Sequence, residues 1–343
     1  MRFTIVTPSY NQLDWLRLCV ASVADQVGVG REHTAYGTGQ TDGRGCGSRV
    51  AGGESERRAA MPLTIEHIVQ DAGTPGIEGF AKEMGASFYQ DGKKVFSAQH
   101  PADGQLSNAY SLAIYLEKDE GMYDAINKGL RKASGDICAY LNCDEQYLPG
   151  TLEWVAHYFS GSTEAEVLFG AAIVTRADGS YVCDRRVMVP TRWHTMVSGN
   201  LSIFTSSTFF RREAVVERGL LFDPQWRVCG DTVWALRLLD AGLRMEASHR
   251  PLSAFAETGV NMSAAGNPPA AEEARRLALS APAAARALKP VVLLAYRLRR
   301  WWSGAYALSA HSYAIYTAGN TQQRRLFAVD APSFRWKMGS KAR

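Results

Sequence analysis

The sequence predicts an α/β fold: a mostly parallel mixed sheet with helices on both faces, Rossmann-like in its nucleotide-binding half, followed by a helical C-terminal appendage. Three stretches predict it. The chain opens on a compact strand, Phe3 to Pro8, then a polar turn, then a helix whose apolar face is Leu13, Leu16, Val20 and Val23. Further on, Ile126, Leu130 and Ala133 recur at helical spacing, and Ser134-Gly135 stops that helix. Ile137 to Leu141 is then a short apolar run, suited to a strand covered on both faces. Strand and helix alternating in this way build parallel sheets.

Each element has its local cause. Asn11 can cap the first helix. Nine glycines fall between Gly28 and Gly53, and residues 28–62 show no apolar period, so this stretch reads as a flexible surface insertion. Leu63 to Gln70 alternates like a strand and ends at Asp71-Ala72-Gly73-Thr74; His67 within it reads as a strand residue. Ile77 to Met84 suits a short helix, and Tyr110 to Leu116 a strand. Pro149 can open a helix carrying Leu152, Val155, Ala156 and Phe159 on one face. Val167 to Thr175 and Ser180 to Val189 read as strands joined by a turn at Ala177-Asp178-Gly179. A helix follows from Glu213, and Asp231 stands at the start of an amphipathic one.

At 343 residues and 46% hydrophobic composition, the chain can bury a sizeable core. Its net charge of +4 conceals an asymmetry. From Ala274 to Arg343 there are 13 Lys/Arg against one acid, whereas the preceding 273 residues carry 25 against 33. An acidic body with a basic tail suggests an anionic partner for the tail. The six cysteines are scattered without metal-binding spacing and read as small apolar fillers. With no leader-like segment and no long apolar run, the expected location is the cytoplasm, with peripheral attachment to the inner face of the cell membrane. No Gly-x-Gly-x-x-Gly follows the first strand, and no His-Glu-x-x-His or Gly-x-Ser-x-Gly occurs. Dinucleotide, zinc-hydrolase and serine-hydrolase chemistries therefore lack their key elements.

Asp144 and Glu145 follow the Ile137–Leu141 run, at the position where an α/β sheet presents its ligand crevice. Adjacent carboxylates repel each other unless a cation sits between them and something anionic. A hard divalent metal, Mg²⁺ or Mn²⁺, bridging to a phosphate fits that requirement.

The block Tyr123-Asp124-Ala125-Ile126-Asn127-Lys128-Gly129, followed by Gly135-Asp136 and Leu141-Asn142-Cys143-Asp144-Glu145, resembles the central block of family 2 glycosyltransferases of GT-A fold. The resemblance extends with gaps from Phe3 to about Leu243, and implies a GT-A domain over residues 1–255 and an appendage over 256–343. It implies that Thr7, Pro8 and Tyr10 lie along a nucleotide and that Asp71 hydrogen-bonds its base, favouring a UDP- or dTDP-sugar. Asp144 and Glu145 would hold the metal against the diphosphate, and Asp124 and Lys128 would lie near the donor pocket. Asp231 matches the family's catalytic base, although it also suits a helix N-cap. The chain departs from the family pattern in having Thr205 near where a His often stands, and Asp144-Glu145 where two aspartates are usual.

The implied activity is inverting transfer of a hexosyl group to a hydroxyl of a glycan or lipid-linked acceptor, in cell-surface polysaccharide synthesis. Two other readings are a glycosyltransferase-like binding module without turnover and a peripheral membrane scaffold. The second rests on the tail, where a helix from Pro290 mixes Val291, Leu294, Leu298, Trp301 and Trp302 with Arg297, Arg299 and Arg300. That texture suits either a membrane interface or a helix packed on the body with its Arg stems over apolar surface. Nucleic acid is not an expected partner, because no binding module accompanies the basic residues.

Overall fold

The computed structural model describes residues 1–27, 61–98, 109–198, 201–259, 261 and 268–336. All but the last two residues of the expected 28–62 insertion lie outside them. The main sheet contains β1 (Arg2–Ser9), β2 (Thr64–Asp71), β3 (Ser87–Gln90), β4 (Lys93–Phe96), β5 (Ala109–Leu116) and β6 (Ile137–Tyr140). It continues with β7 (Glu145–Tyr147), β8 (Val167–Arg176), β9 (Tyr181–Arg185), β10 (Thr208–Arg211) and β11 (Met245–Glu257). The strand order is β4-β3-β5-β2-β1-β6-β10-β8-β11-β7, with β9 on β8. The block β3-β5-β2-β1-β6 is wholly parallel. Antiparallel β10 then turns the sheet toward its mixed half. This is the mostly parallel α/β architecture of GT-A type that the sequence predicts.

The residues explain the packing. β8 is buried at nine of its ten positions, as the unbroken run Val167 to Thr175 requires of a strand paired on both edges and covered on both faces. The helix Met122–Lys132 lies over β1 with Ile126 and Leu130 fully buried, each worth about 1.5–3 kcal/mol. The approach is close because residue 129 is glycine: a Cβ there would come within 2.4 Å of a Val6 methyl. Gly135 serves the same end, since its Cβ would meet the Phe3 backbone at 2.6 Å. Asn127, buried in the same helix, donates to the Phe222 carbonyl at 2.9 Å and accepts from the Phe222 amide at 3.0 Å. One motif helix thereby clamps the two halves of the sheet.

The appendage is less helical than expected. Helices Pro268–Ser280, Ala283–Ala287 and Lys289–Trp302 precede a two-stranded sheet of β12 (His311–Thr317) and β13 (Asn320–Val329). The hairpin docks on the body through Arg324, whose guanidinium spans both oxygens of Asp25 at 2.6 and 2.8 Å and also donates to the Tyr147 carbonyl at 2.8 Å. Gln146 adds two hydrogen bonds to the Tyr316 backbone. Among the described residues, no helix is long and apolar enough to cross a membrane.

Candidate active site

The carboxyl ends of β1 and β6 open onto a cleft of about 910 Å³. Its lining includes Pro8, Tyr10, Asp124, Asp144, Glu145 and Asp231. Cys143 Sγ donates to the Pro8 carbonyl at 3.2 Å, tying the turn after β6 to the turn after β1. Between β6 and β7 the chain reverses tightly: the Asn142 amide donates to Glu145 Oε2 at 2.7 Å, and the Glu145 amide to the Asn142 carbonyl at 3.1 Å. The reversal buries Glu145 to 2% exposure and leaves Asp144 half-buried. Asp144 is oriented from outside the motif, for Asn261 Nδ2 donates to its Oδ2 at 2.8 Å. Asn261 is itself held by the Ala256 carbonyl at 3.0 Å and the Thr258 amide at 2.8 Å.

Asp231 stands in the first turn of the helix Gly230–Asp240; the cap position belongs to Cys229. A carboxylate there is favoured by the helix dipole, and Asp231 Oδ1 accepts from the Thr232 amide at 2.7 Å. Gly230 lets the turn pass Tyr123, whose ring a Cβ would meet at 2.4 Å. The approach to this helix is set by the appendage. Glu273 accepts from three consecutive backbone amides, Arg227, Val228 and Cys229, at 2.6, 2.9 and 2.8 Å. The Arg227 guanidinium in turn donates to the Glu120 carbonyl, joining this loop to the start of the Met122–Lys132 helix.

Burial pushes the Asp231 carboxyl up to about 6, against the Thr232 hydrogen bonds that favour its ionised form. Burial also raises Asp144, and raises Glu145 with the added repulsion of Asp144. Among the described residues no salt bridge reaches Asp144, Glu145 or Asp231. A buried cluster of acids without a basic partner favours either protonation or a bound cation. The described residues contain no group of three or more His, Cys, Asp or Glu side chains arranged to hold a metal. Two carboxylates suffice for an octahedral cation that takes its other ligands from phosphate and water. The donor set, oxygen-only and partly open at Asp144, fits that kind of ion.

The other residues singled out from sequence divide. Pro8, Tyr10 and Asp124 line the cleft, whereas Thr7, Asp71 and Lys128 do not. Thr7 is fully buried, its hydroxyl 2.9 Å from His67 Nε2. Burial pushes His67 down to about 3, a neutral strand residue in the core. Asp71 is fully buried and accepts three bonds from its own turn, from the Gly73 and Thr74 amides at 2.9 and 2.7 Å and the Thr74 hydroxyl at 2.6 Å. A carboxylate has about four lone-pair positions, so one is left for a further donor. Lys128 pairs with Asp124 at 2.9 Å. Burial works to raise Asp124, but Lys128 and the Glu120 amide prevail and hold it below its ordinary value. Asn261, Glu273 and Arg227 were not foreseen; they reach the cleft from distant segments, with no local pattern to mark them.

Residues 108–217 match the model of Glycosyl transferase family 2. No curated protein matches the sequence. Among solved structures, the chain is similar to S. aureus TarS 1–349, at 14% identity and a TM-score of 0.48, covering 88% of this chain and 72% of that one. The corresponding crystal structure in complex with UDP-GlcNAc gives 13% identity and a TM-score of 0.49, over 88% and 73% of the two chains. Against the longer S. aureus TarS the figures are 12%, 0.46, 88% and 44%.

Proposed function

Because residues 108–217 belong to glycosyltransferase family 2, we propose that the protein is a metal-dependent inverting glycosyltransferase. It moves a sugar from a pyrimidine nucleoside diphosphate, UDP or dTDP, to a hydroxyl of a glycan or lipid-linked acceptor. The observation that carries the proposal is the meeting of Asp144, Glu145 and Asp231 in one cleft at the carboxyl ends of the parallel strands. Asp144, with Glu145 behind it, is the seat for Mg²⁺ or Mn²⁺. When bound, the ion offsets the charge that grows on the departing nucleoside diphosphate.

The chain's own residues do the rest. Asp231, ionised above about pH 6, accepts the acceptor hydroxyl's proton as that oxygen attacks the anomeric carbon. Tyr10, 62% exposed at the rim, offers a face against the base. Asp71 has one acceptor position left for an imide N–H, and its main work is to fix the 71–74 turn beside it. Thr7 contributes backbone, since its side chain is spent in the core.

A panel of nucleotide sugars tests the reading. Metal-dependent hydrolysis or transfer with a pyrimidine donor supports an enzyme. Metal-dependent binding with no turnover under any condition indicates a binding module instead.

A further inference from the structure

Beside the cleft lies a second cavity of about 480 Å³, which shares Arg185 and Leu201 with it. Its chemistry is the reverse of the cleft's. Arg185, His194, Lys289, Tyr296, Arg297 and Arg300 line it, and no carboxylate does. Arg300 is 7% exposed and lies over the rings of Tyr296 and Tyr306, with its guanidinium carbon 6.0 and 5.2 Å from their centroids. Arg185 lies over Trp336 at 5.6 Å. Among the described residues, neither arginine nor Lys289 nor Arg297 takes part in a salt bridge. Two buried donors lack partners, Arg185 Nε and His194 Nδ1, and His194 is 4% exposed with its ring stacked on Tyr296.

Such a site is costly as it stands. A buried guanidinium without a counter-charge loses hydration and gains nothing in return. The surroundings register the excess: burial lowers Arg185 and the nearby Arg300 lowers it further, while His194 is brought down to about 4 by burial and by Arg299 and Arg300. What relieves it is an anion with several acceptor oxygens, which planar guanidinium groups bind in paired hydrogen bonds.

We infer that this cavity binds a phosphate or diphosphate group carried by the acceptor, holding it beside the catalytic cleft so that the acceptor's hydroxyl enters past Arg185. The inference rests on the transferase reading and extends it, because it names the acceptor class as phosphorylated. The donor's own diphosphate is provided for at Asp144. Five of the lining residues, Lys289, Leu293, Tyr296, Arg297 and Arg300, come from the helix Lys289–Trp302. Another stripe of that helix, Val291, Leu294, Leu298, Trp301 and Trp302, is 56–76% exposed. A lipid-borne diphosphate would set its head group in the cavity while this stripe enters the bilayer surface. A phosphate on a soluble glycan would use the cavity alone.

The test is calorimetric titration of the full chain with inorganic pyrophosphate in EDTA, where the acids of the cleft repel a second anion and only the basic cavity attracts it. We expect one site. Arg300→Gln and the exposed Arg297→Gln should each weaken it by at least about tenfold, with UDP binding in Mg²⁺ unchanged and Arg297→Gln melting like the wild type. Decyl diphosphate in neutral micelles identifies the source: tighter binding than pyrophosphate supports a lipid carrier, and equal binding supports a glycan phosphate. Absence of pyrophosphate binding, or binding that both variants leave untouched, would overturn the inference. Failure of the wild type to bind UDP with Mg²⁺ would instead count against the transferase reading.

Discussion

The cleft that holds Asp144, Glu145 and Asp231 and the cavity that holds Arg185, His194 and Arg300 share a wall, yet they bury opposite charges. The cleft is built by the sheet, from turns at strand ends. The cavity is built largely by one helix of the appendage laid against β9 and the helix Arg192–Ser198. Both leave charge uncompensated, which folding alone would disfavour. The difference teaches what each is for: the acids await a cation and a proton, and the arginines await an anion. A transferase that handles two phosphorylated substrates needs both.

The comparison breaks most visibly at Asp231. Asp231→Asn should lower the transfer rate by about 10²–10⁴-fold while UDP affinity stays within a factor of two or so, as read by steady-state kinetics and calorimetry. Because Asp231 must be ionised to act, the wild-type rate should fall on the acid side with a limb near pH 6. The same group affects stability. Its folded pKa is raised from 3.8 to about 6, so the native state keeps a proton that the unfolded chain has released, and stability falls as pH rises through that window. Asp231→Asn should therefore raise the Tm at neutral pH, and the gain should shrink as the pH drops through 6.

Asp144→Ala sharpens the contrast from the other side. It should weaken metal-dependent UDP binding by at least about tenfold and leave pyrophosphate binding in EDTA intact. Glu273→Gln probes the joint between sheet and appendage: a neutral acceptor facing three amides should cost about 1–2 kcal/mol of stability and reduce kcat more than it raises the donor KM. The smallest expected effect is that of Asn261→Ala, which frees Asp144 to rotate. It should raise the metal concentration needed for half-maximal rate by about tenfold and leave the pH limb in place.

How much of this was legible beforehand follows from how local each cause is. Periodicity and breakers sufficed for β1, β2, β6, β8 and the helix Met122–Lys132, because each buries its own apolar pattern. The helix expected from Glu213 is only the single turn Arg212–Val215, since the chain must reverse to bring Phe222 onto Asn127. The β12–β13 hairpin escaped notice because β13 reads Thr-Gln-Gln-Arg-Arg, polar where a strand signal would be apolar, and is fixed by Arg324 meeting Asp25 about 300 residues away in sequence. Asp144, Glu145 and Asp231 could be singled out because their motifs carry them. Asn261 and Glu273 could not, since each acts through the fold on a residue more than 40 positions distant. The motif residues Asn127 and Gly129 prove to be packing devices, and Lys128 is a partner for Asp124.

The central claim is that the acids of the cleft bind a pyrimidine nucleoside diphosphate through a divalent metal. Calorimetric titration of UDP into the full chain, with Mn²⁺ and then with EDTA, reads it most directly. The account predicts a single site seen only with the metal and lost in Asp144→Ala. Equal affinity with and without metal, or binding that survives Asp144→Ala, would contradict it.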